Sequence, residues 1–139
     1  MTGAQPPGAP ELDNASAFVA AAGLRLTHVA ADRVEGVIDL GPAHHTPWGV
    51  VHGGVYTAAA ESAASVGATA AVADRGQIAV GTNNNTDFLR SMTTGTVAVT
   101  AAPVQQGRTQ QLWDVRITDQ RGRVVARGTV RLQNIQPRQ

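Results

Sequence analysis

The sequence predicts an α+β domain in which an antiparallel sheet curls around one long central helix. Residues 54–74 are dominated by Ala, Ser, Thr, Gly and Val with a single acid before the end. That run is helix-forming and, at about 1.5 Å rise per residue, roughly 30 Å long. Segments 33–40, 111–118 and 124–132 alternate apolar and polar side chains, the period of a half-buried strand. The later strands are joined by tight turns at 105–108 and 119–122. A sheet wrapped on one helix buries all of these faces at once.

The elements follow in order. At 139 residues the chain is one domain, assigned to residues 14–139, behind a Pro/Gly/Ala-rich lead-in, 1–13, expected to be disordered. Asn14 or Asp13 is expected to cap a short helix over 15–22, and Gly23 to stop it. Residues 24–29 read as a strand with a turn at Ala31-Asp32. In 33–40, Val34, Gly36, Ile38 and Leu40 share one face. A loop rich in Pro and His, 41–49, leads to the central helix, which Arg75-Gly76 ends. The extended segment 77–89 carries Thr82-Asn83-Asn84-Asn85-Thr86, unusual because Asn is a poor strand former. Either a bulge or specific polar contacts, lining a site or an interface, explains it. Strands over 96–104, 111–118 and 124–132 follow, with Trp113, Val115 and Ile117, then Val124, Ala126, Gly128, Val130 and Leu132 facing inward.

Composition narrows the function. Hydrophobic residues make up 42% and charged ones 15%, so the chain is charge-poor and suited to hiding surface in an oligomer. The net charge of +1 comes with no basic stripe interleaved with aromatics, which excludes a nucleic-acid partner. All eleven basic residues are Arg and cysteine is absent, so disulfides, thiolate chemistry and Cys-based zinc sites are excluded. The N-terminus lacks the pattern of a signal peptide, and no apolar run reaches membrane-spanning length. A soluble, cytoplasmic protein with no membrane partner is expected.

The chemistry converges on Trp48-Gly-Val-Val-His52-Gly-Gly-Val-Tyr-Thr-Ala-Ala-Ala-Glu61-Ser-Ala-Ala-Ser65. A lone carboxylate on a small, apolar helix is costly to bury and needs a reason. Thr57 and Ser65 flank Glu61 at one helical turn either way, and Gly54 lies a turn nearer the start. The backbone N–H of Gly53 or Gly54, at the positive end of the helix, can polarise a carbonyl. Glu61 can act as general base for a water or as nucleophile on an acyl group. Eight residues separate Gly53 from Glu61, about 12 Å along a helix, too far for both to meet one thioester. An antiparallel second copy brings its Glu61 to the first copy's Gly53, so the spacing predicts a dimer. His52 reads as orienting the glycine turn or the substrate, and His44 and His45 as loop surface. With His28 they form no ligand spacing for a metal, and none is expected. Arg90, Arg108, Arg121, Arg123 and Arg138 lie at strand ends or in the tail, where a phosphate-bearing ligand can be clasped or where they are simply solvated.

Val51-His52-Gly53-Gly54 followed by Glu61-Ser62-Ala63-Ala64-Ser65 resembles the hotdog-fold acyl-CoA thioesterases, in which an antiparallel sheet wraps one helix. Asn83 to Phe88, Gly107 to Trp113 and Val125 to Gly128 look like the branch with the Arthrobacter-type 4-hydroxybenzoyl-CoA thioesterases and the phenylacetate-pathway enzymes. The resemblance implies Glu61 as catalytic carboxylate and Gly53 as the carbonyl-polarising donor from the partner subunit. It places His52 beside them and Gly54, Ser65 and Asn84 around the substrate. Thr46 stands where members of the branch can carry a Gln that helps hold the carbonyl. Arg90, Arg108, Thr109 and Arg138 fall where coenzyme A can be held. It also implies a dimer with a continuous sheet, paired into a homotetramer, and no cofactor, since CoA is part of substrate and product.

The expected activity is therefore hydrolysis of an aryl- or medium acyl-CoA to free acid and CoA. A hotdog-fold hydratase or dehydratase would want a His as base beside the acid. A non-catalytic acyl-CoA binding module would have no use for Glu61, and an oligomerisation domain would need neither acid nor glycines.

Overall fold

The computed structural model describes residues 5–138. A six-stranded antiparallel sheet, in the order β1-β2-β4-β5-β6-β3, wraps one long helix. The elements are α1 (Ala17–Ala22), β1 (Arg25–Ala30), β2 (Arg33–Leu40), α2 (Gly53–Val72), β3 (Ile78–Phe88), β4 (Gly95–Gln106), β5 (Gln110–Thr118) and β6 (Val124–Ile135). This is the hotdog architecture. The strands outrun their alternating cores: β4 and β6 extend by a few residues where side chains turn polar but backbone pairing continues.

Of the lead-in, residues 1–4 lie outside the described residues, as does Gln139. The rest carries local structure. The Ala9 N–H bonds to Pro6 O, Leu12–Asn14 is a turn of 3-10 helix, and Ala9 and Leu12 pack against the core. That turn uses up Asp13 and Asn14, so neither caps α1; Ser16 does, its hydroxyl accepting from Val19 N–H at 3.2 Å. Gly23 closes α1 in the left-handed conformation at φ 79°, as its position requires.

The buried face of α2 is Tyr56, Ala59, Ala60, Ala63, Ala64, Gly67, Ala68 and Val72, spaced three and four apart. Its small side chains let the sheet approach closely. At Gly67 there is no room for a Cβ, because the fully buried Trp113 ring of β5 occupies the space. Trp113, Ile38, Ile117 and Leu132 are the largest fully buried side chains, and they come from the inward faces of β5, β2 and β6.

The polar residue Gln111 sits in this core at 1% exposure, beside the buried Asn134, with all its side-chain hydrogen-bonding capacity used. Its amide donates to Ala68 O at 3.0 Å and Asn134 Oδ1 at 2.9 Å, while its carbonyl accepts from Trp113 Nε1 at 2.9 Å and Gln106 Nε2 at 3.3 Å. The network ties α2 to three strands at the helix's C-terminal half.

β3 forms one edge of the sheet, bonded only to β6. Its register slips between Gly81 and Asn83, the bulge that the Asn-rich run raised as one explanation. No helix among the described residues is long and apolar enough to cross a membrane.

Candidate active site

Glu61 lies midway along α2, half-buried, with its side chain directed at β3. Asn84 Nδ2 donates to Glu61 Oε1 at 3.2 Å and to Thr57 O at 3.1 Å. Thr86 Oγ1 in turn donates to Asn84 Oδ1 at 2.7 Å. No cation pairs with Glu61 among the described residues, so the carboxylate keeps lone pairs for a water or an acyl carbon. Gly81 lies directly against it, and a Cβ at that position would overlap Oε2. Because the clash involves the free end of a flexible side chain, Gly81→Ala should fold normally while displacing the carboxylate. We expect kcat to fall about 10- to 100-fold with the thermal midpoint nearly unchanged, read by steady-state kinetics beside a melting curve.

At the start of α2, His52 is the N-cap. Its Nδ1 accepts from Gly54 N–H at 2.8 Å, and its carbonyl accepts from Val55 N–H at 3.0 Å. Nδ1 as acceptor puts the ring proton on Nε2. Gly54 N–H is thus taken, which leaves Gly53 as the donor: its N–H has no partner among the described residues. It points from the positive end of the helix, where a developing oxyanion is stabilised.

Gly53 borders a cavity of about 260 Å³ shared with Val51, Tyr56, Phe88 and Arg90. The Phe88 ring packs against Gly53 and faces the Tyr56 ring at a centroid distance of 6.0 Å. The Tyr56 hydroxyl is buried without a hydrogen-bond partner among the described residues, and burial pushes its phenol up. It is therefore a neutral donor with nothing to donate to.

The other expected residues divide. Thr46 sits in the loop before α2 and turns its hydroxyl into that loop, accepting from Trp48 N–H at 3.2 Å. Ser65, one turn beyond Glu61, borders a separate hollow with Gly8, Pro10 and Thr69. Asn84 meets Glu61 as described, with both amide hydrogens given to protein acceptors. Arg90 is exposed beside the Gly53 cavity. Arg108 and Thr109 lie at the opposite end of α2, where Arg75 donates to Arg108 O at 3.4 Å and Asn134 N–H to Thr109 O at 2.9 Å. Arg138 follows β6 at that same end, beyond the Ile78–Ile135 pair. One chain therefore brings three of these residues together and leaves Arg90 a helix length away.

His44 and His45 do more than sit on the loop surface. Both are half-buried and fix the loop: His44 Nδ1 accepts from Gly41 N–H at 3.3 Å and its Nε2 meets Ala21 O at 3.0 Å, while His45 Nε2 meets Thr93 O at 2.7 Å.

Four residues of the site receive no individual role from the linear reading, although Thr86 and Phe88 lie in the stretch it singles out: Tyr56, Gly81, Thr86 and Phe88. Tyr56 had a signal, as the single Tyr of the chain, one helical turn after Gly53. Thr86 and Phe88 share strand parity with Asn84. Gly81 had none, because its role depends on the bulge beneath Glu61.

The profile of the thioesterase superfamily matches residues 49–126, from the loop ahead of α2 into β6. The chain belongs to the thioesterase superfamily. The matched span includes Gly53, Glu61, Asn84 and Arg108 but not Thr46 or Arg138. This thioesterase is 50% identical over 118 residues to Rv1847, a Mycobacterium tuberculosis protein named as a candidate esterase, covering 84% of each chain. The solved structure of Rv1847 superposes with a TM-score of 0.84 at 48% identity, covering 89% of this chain and 100% of that one. The thioesterase is also 38% identical over 76 residues to the 1,4-dihydroxy-2-naphthoyl-CoA hydrolase of Listeria monocytogenes, 55% of this chain and 61% of that one. Over 101 residues, 73% of each chain, it is 32% identical to the proofreading thioesterase EntH of Cronobacter turicensis. It is a thioester hydrolase.

Proposed function

We propose that this thioesterase hydrolyses an aryl- or medium acyl-CoA to the free acid and CoA, without metal or cofactor, at a site shared by two chains. It fits the 4-hydroxybenzoyl and phenylacetate type of hotdog enzyme. The observation that carries the reading is the pair of groups presented by α2: a partnerless Gly53 N–H at its start and an unpaired Glu61 carboxylate held against β3 two turns later. About 12 Å of helix separates them, so the acid that meets a carbonyl on Gly53 comes from a second copy. Edge strand β3 has an unpaired outer side that a second β3 can extend into a continuous sheet. Trp48 at 85% and Leu89 at 56% exposure, flanking the start of α2, are apolar surface that such a partner covers. Two such dimers make the homotetramer.

The thioester oxygen accepts from Gly53 N–H of one protomer. Glu61 of the other takes a proton as water adds to the carbonyl carbon, or adds to it directly and forms an anhydride that water then opens. The tetrahedral species expels CoA as thiolate, which takes up a proton. Phe88 and Tyr56 wall the adjoining cavity with flat surface that favours an aryl acyl group. The naphthoyl-CoA substrate named for the Listeria relative is of this kind. Arg90 of one chain and Arg108, Thr109 and Arg138 of another can hold the CoA phosphates. A cytoplasmic location accords with CoA chemistry.

Two measurements test this. Thiol release is followed across a panel of aryl- and alkyl-CoA esters; binding without release identifies a binding module instead. Gly53→Pro removes the N–H at the first helical position, where the fixed φ of Pro is accepted although its Cβ displaces the Phe88 ring; once a melting curve shows that it folds, it is mixed with Glu61→Gln. Each alone is inactive, and reassociated heterodimers recover one intact site of two. A mixture that stays inactive despite confirmed exchange, or an active monomer by light scattering, sinks the two-chain site.

A further inference from the structure

We propose that Thr86, through Asn84, is a positioning residue for Glu61: its hydroxyl locks the Asn84 amide in the single orientation that holds the carboxylate. The inference rests on the reading of Glu61 as the catalytic acid.

The hydrogen-bond inventory forces the arrangement. Asn84 faces two groups on α2, the Thr57 carbonyl at 3.1 Å and the Glu61 carboxylate at 3.2 Å. Both can only accept while Glu61 is ionised, so the amide must turn its nitrogen toward them and spends both hydrogens there. A flipped amide would set its oxygen against two other oxygens. Thr57 offers no alternative donor, since its own hydroxyl donates to Gly53 O at 3.3 Å. On the far side, Asn84 Oδ1 lies 2.7 Å from Thr86 Oγ1, which donates its one proton. Asn84 alone could swing about its terminal torsion, which is broad and soft. The two acceptors on α2 select the face of the amide, and the Thr86 bond to its oxygen narrows the remaining swing.

The neighbouring strand is shaped around the same hydroxyl. Thr86 pairs in register with Gly128 of β6. A Cβ at residue 128 would lie 2.6 Å from Thr86 Oγ1 and 2.7 Å from Asn85 O, far too close. Gly128 therefore leaves the hydroxyl its place, and the orientation passes from β6 to β3 to α2. With Gly81 admitting Oε2 on the other side, the carboxylate has one seat. Among the described residues Glu61 has no cationic partner, so this relay is what fixes its direction.

The test uses the 139-residue chain and the acyl-CoA that the wild type hydrolyses fastest. Thr86→Val, an isosteric loss of the hydroxyl, should lower kcat roughly 10- to 100-fold with KM within about twofold. Thr86→Ser should return kcat to within about threefold of wild type, which lost packing would not explain. Thr86→Ala repeats the measurement without the added methyl should Thr86→Val fold poorly. In parallel, solvent exchange of the Asn84 side-chain amide protons is followed by NMR, where protection in the wild type should disappear in Thr86→Val. Wild-type kcat in the Val and Ala variants, no rescue by Ser, or unchanged Asn84 protection overturns the proposal. If the wild type releases no thiol from any ester, the thioesterase mechanism is what fails, and the NMR exchange still decides the Thr86–Asn84 link.

Discussion

Glu61→Gln should lower kcat for thioester hydrolysis roughly 10²- to 10⁴-fold, with Glu61→Ala in the same range and KM for both close to wild type. The Gln variant is the sharper of the two. Its side chain keeps an oxygen to accept from Asn84 Nδ2, which now stands at 3.2 Å from Glu61 Oε1, so the seat between Gly81 and Asn84 is still filled. What disappears is the group that removes a proton from water or attacks the acyl carbon. The loss corresponds to about 3–5 kcal/mol of barrier, which no change in local packing at a half-buried residue would give. The thermal midpoint of Glu61→Gln should stay at the wild-type value or rise slightly, since a carboxylate without a cation on an Ala-rich helix costs stability. Steady-state thiol release and calorimetry on the same preparations check both halves. Wild-type turnover in the Gln variant would remove Glu61 from the mechanism.

Trp113→Ala is expected to have the largest effect on stability, about 3–5 kcal/mol by denaturant unfolding. The ring is fully buried and fills the space above Gly67 that no Cβ could share. Removing it opens a cavity between α2 and β5 that neither element can close, because the sheet registers on both sides of β5 are fixed. It also strips Gln111 Oε1 of its 2.9 Å donor and leaves only the 3.3 Å contact from Gln106. Trp113→Phe separates the two contributions. It keeps much of the apolar volume and loses the hydrogen bond, for about 1–3 kcal/mol. If Trp113→Ala costs under about 1 kcal/mol, the helix–sheet contact at Gly67 is not where the fold is held.

Much of this was readable from residue order, for identifiable reasons. The two-residue period of β2, β5 and β6 put Val34, Ile38, Trp113, Ile117, Val130 and Leu132 inside, because a pleated strand with one buried face leaves no choice. The Ala run announced α2, and the separation of Gly53 and Glu61 along one helix is arithmetic. Caps were harder. Asp13, Asn14 and Ser16 are all good N-caps, and which one serves depends on the 3-10 turn that takes the first two. Gln111 has the same parity as Trp113, yet a polar side chain at an inward position is legible only once Ala68 and Asn134 supply its partners. The contact of Asn84 with Glu61 crosses 23 positions of sequence, and the bulge at Gly81 decides which side chains of β3 face the helix. The arginines show the same limit. Arg90 and Arg108 are close in sequence and sit at opposite ends of α2, because the 12-residue strand β4 runs between them.

The 20-residue helix α2 is also a phase constraint on the gene. One residue inserted between Gly53 and Gly67 would turn everything after it by about 100° and shift it about 1.5 Å. Glu61 would leave its seat, and the flat patch under Trp113 would rotate off the ring. Two whole turns, seven residues, would restore the facing but lengthen the chain's own measure between N–H and acid by about 10 Å. Single-residue insertions and deletions are therefore forbidden along this stretch, whereas the 3-10 turn and Gly76 beyond it lie past the last residue of α2, where a change of length leaves Gly53, Glu61 and Gly67 in phase.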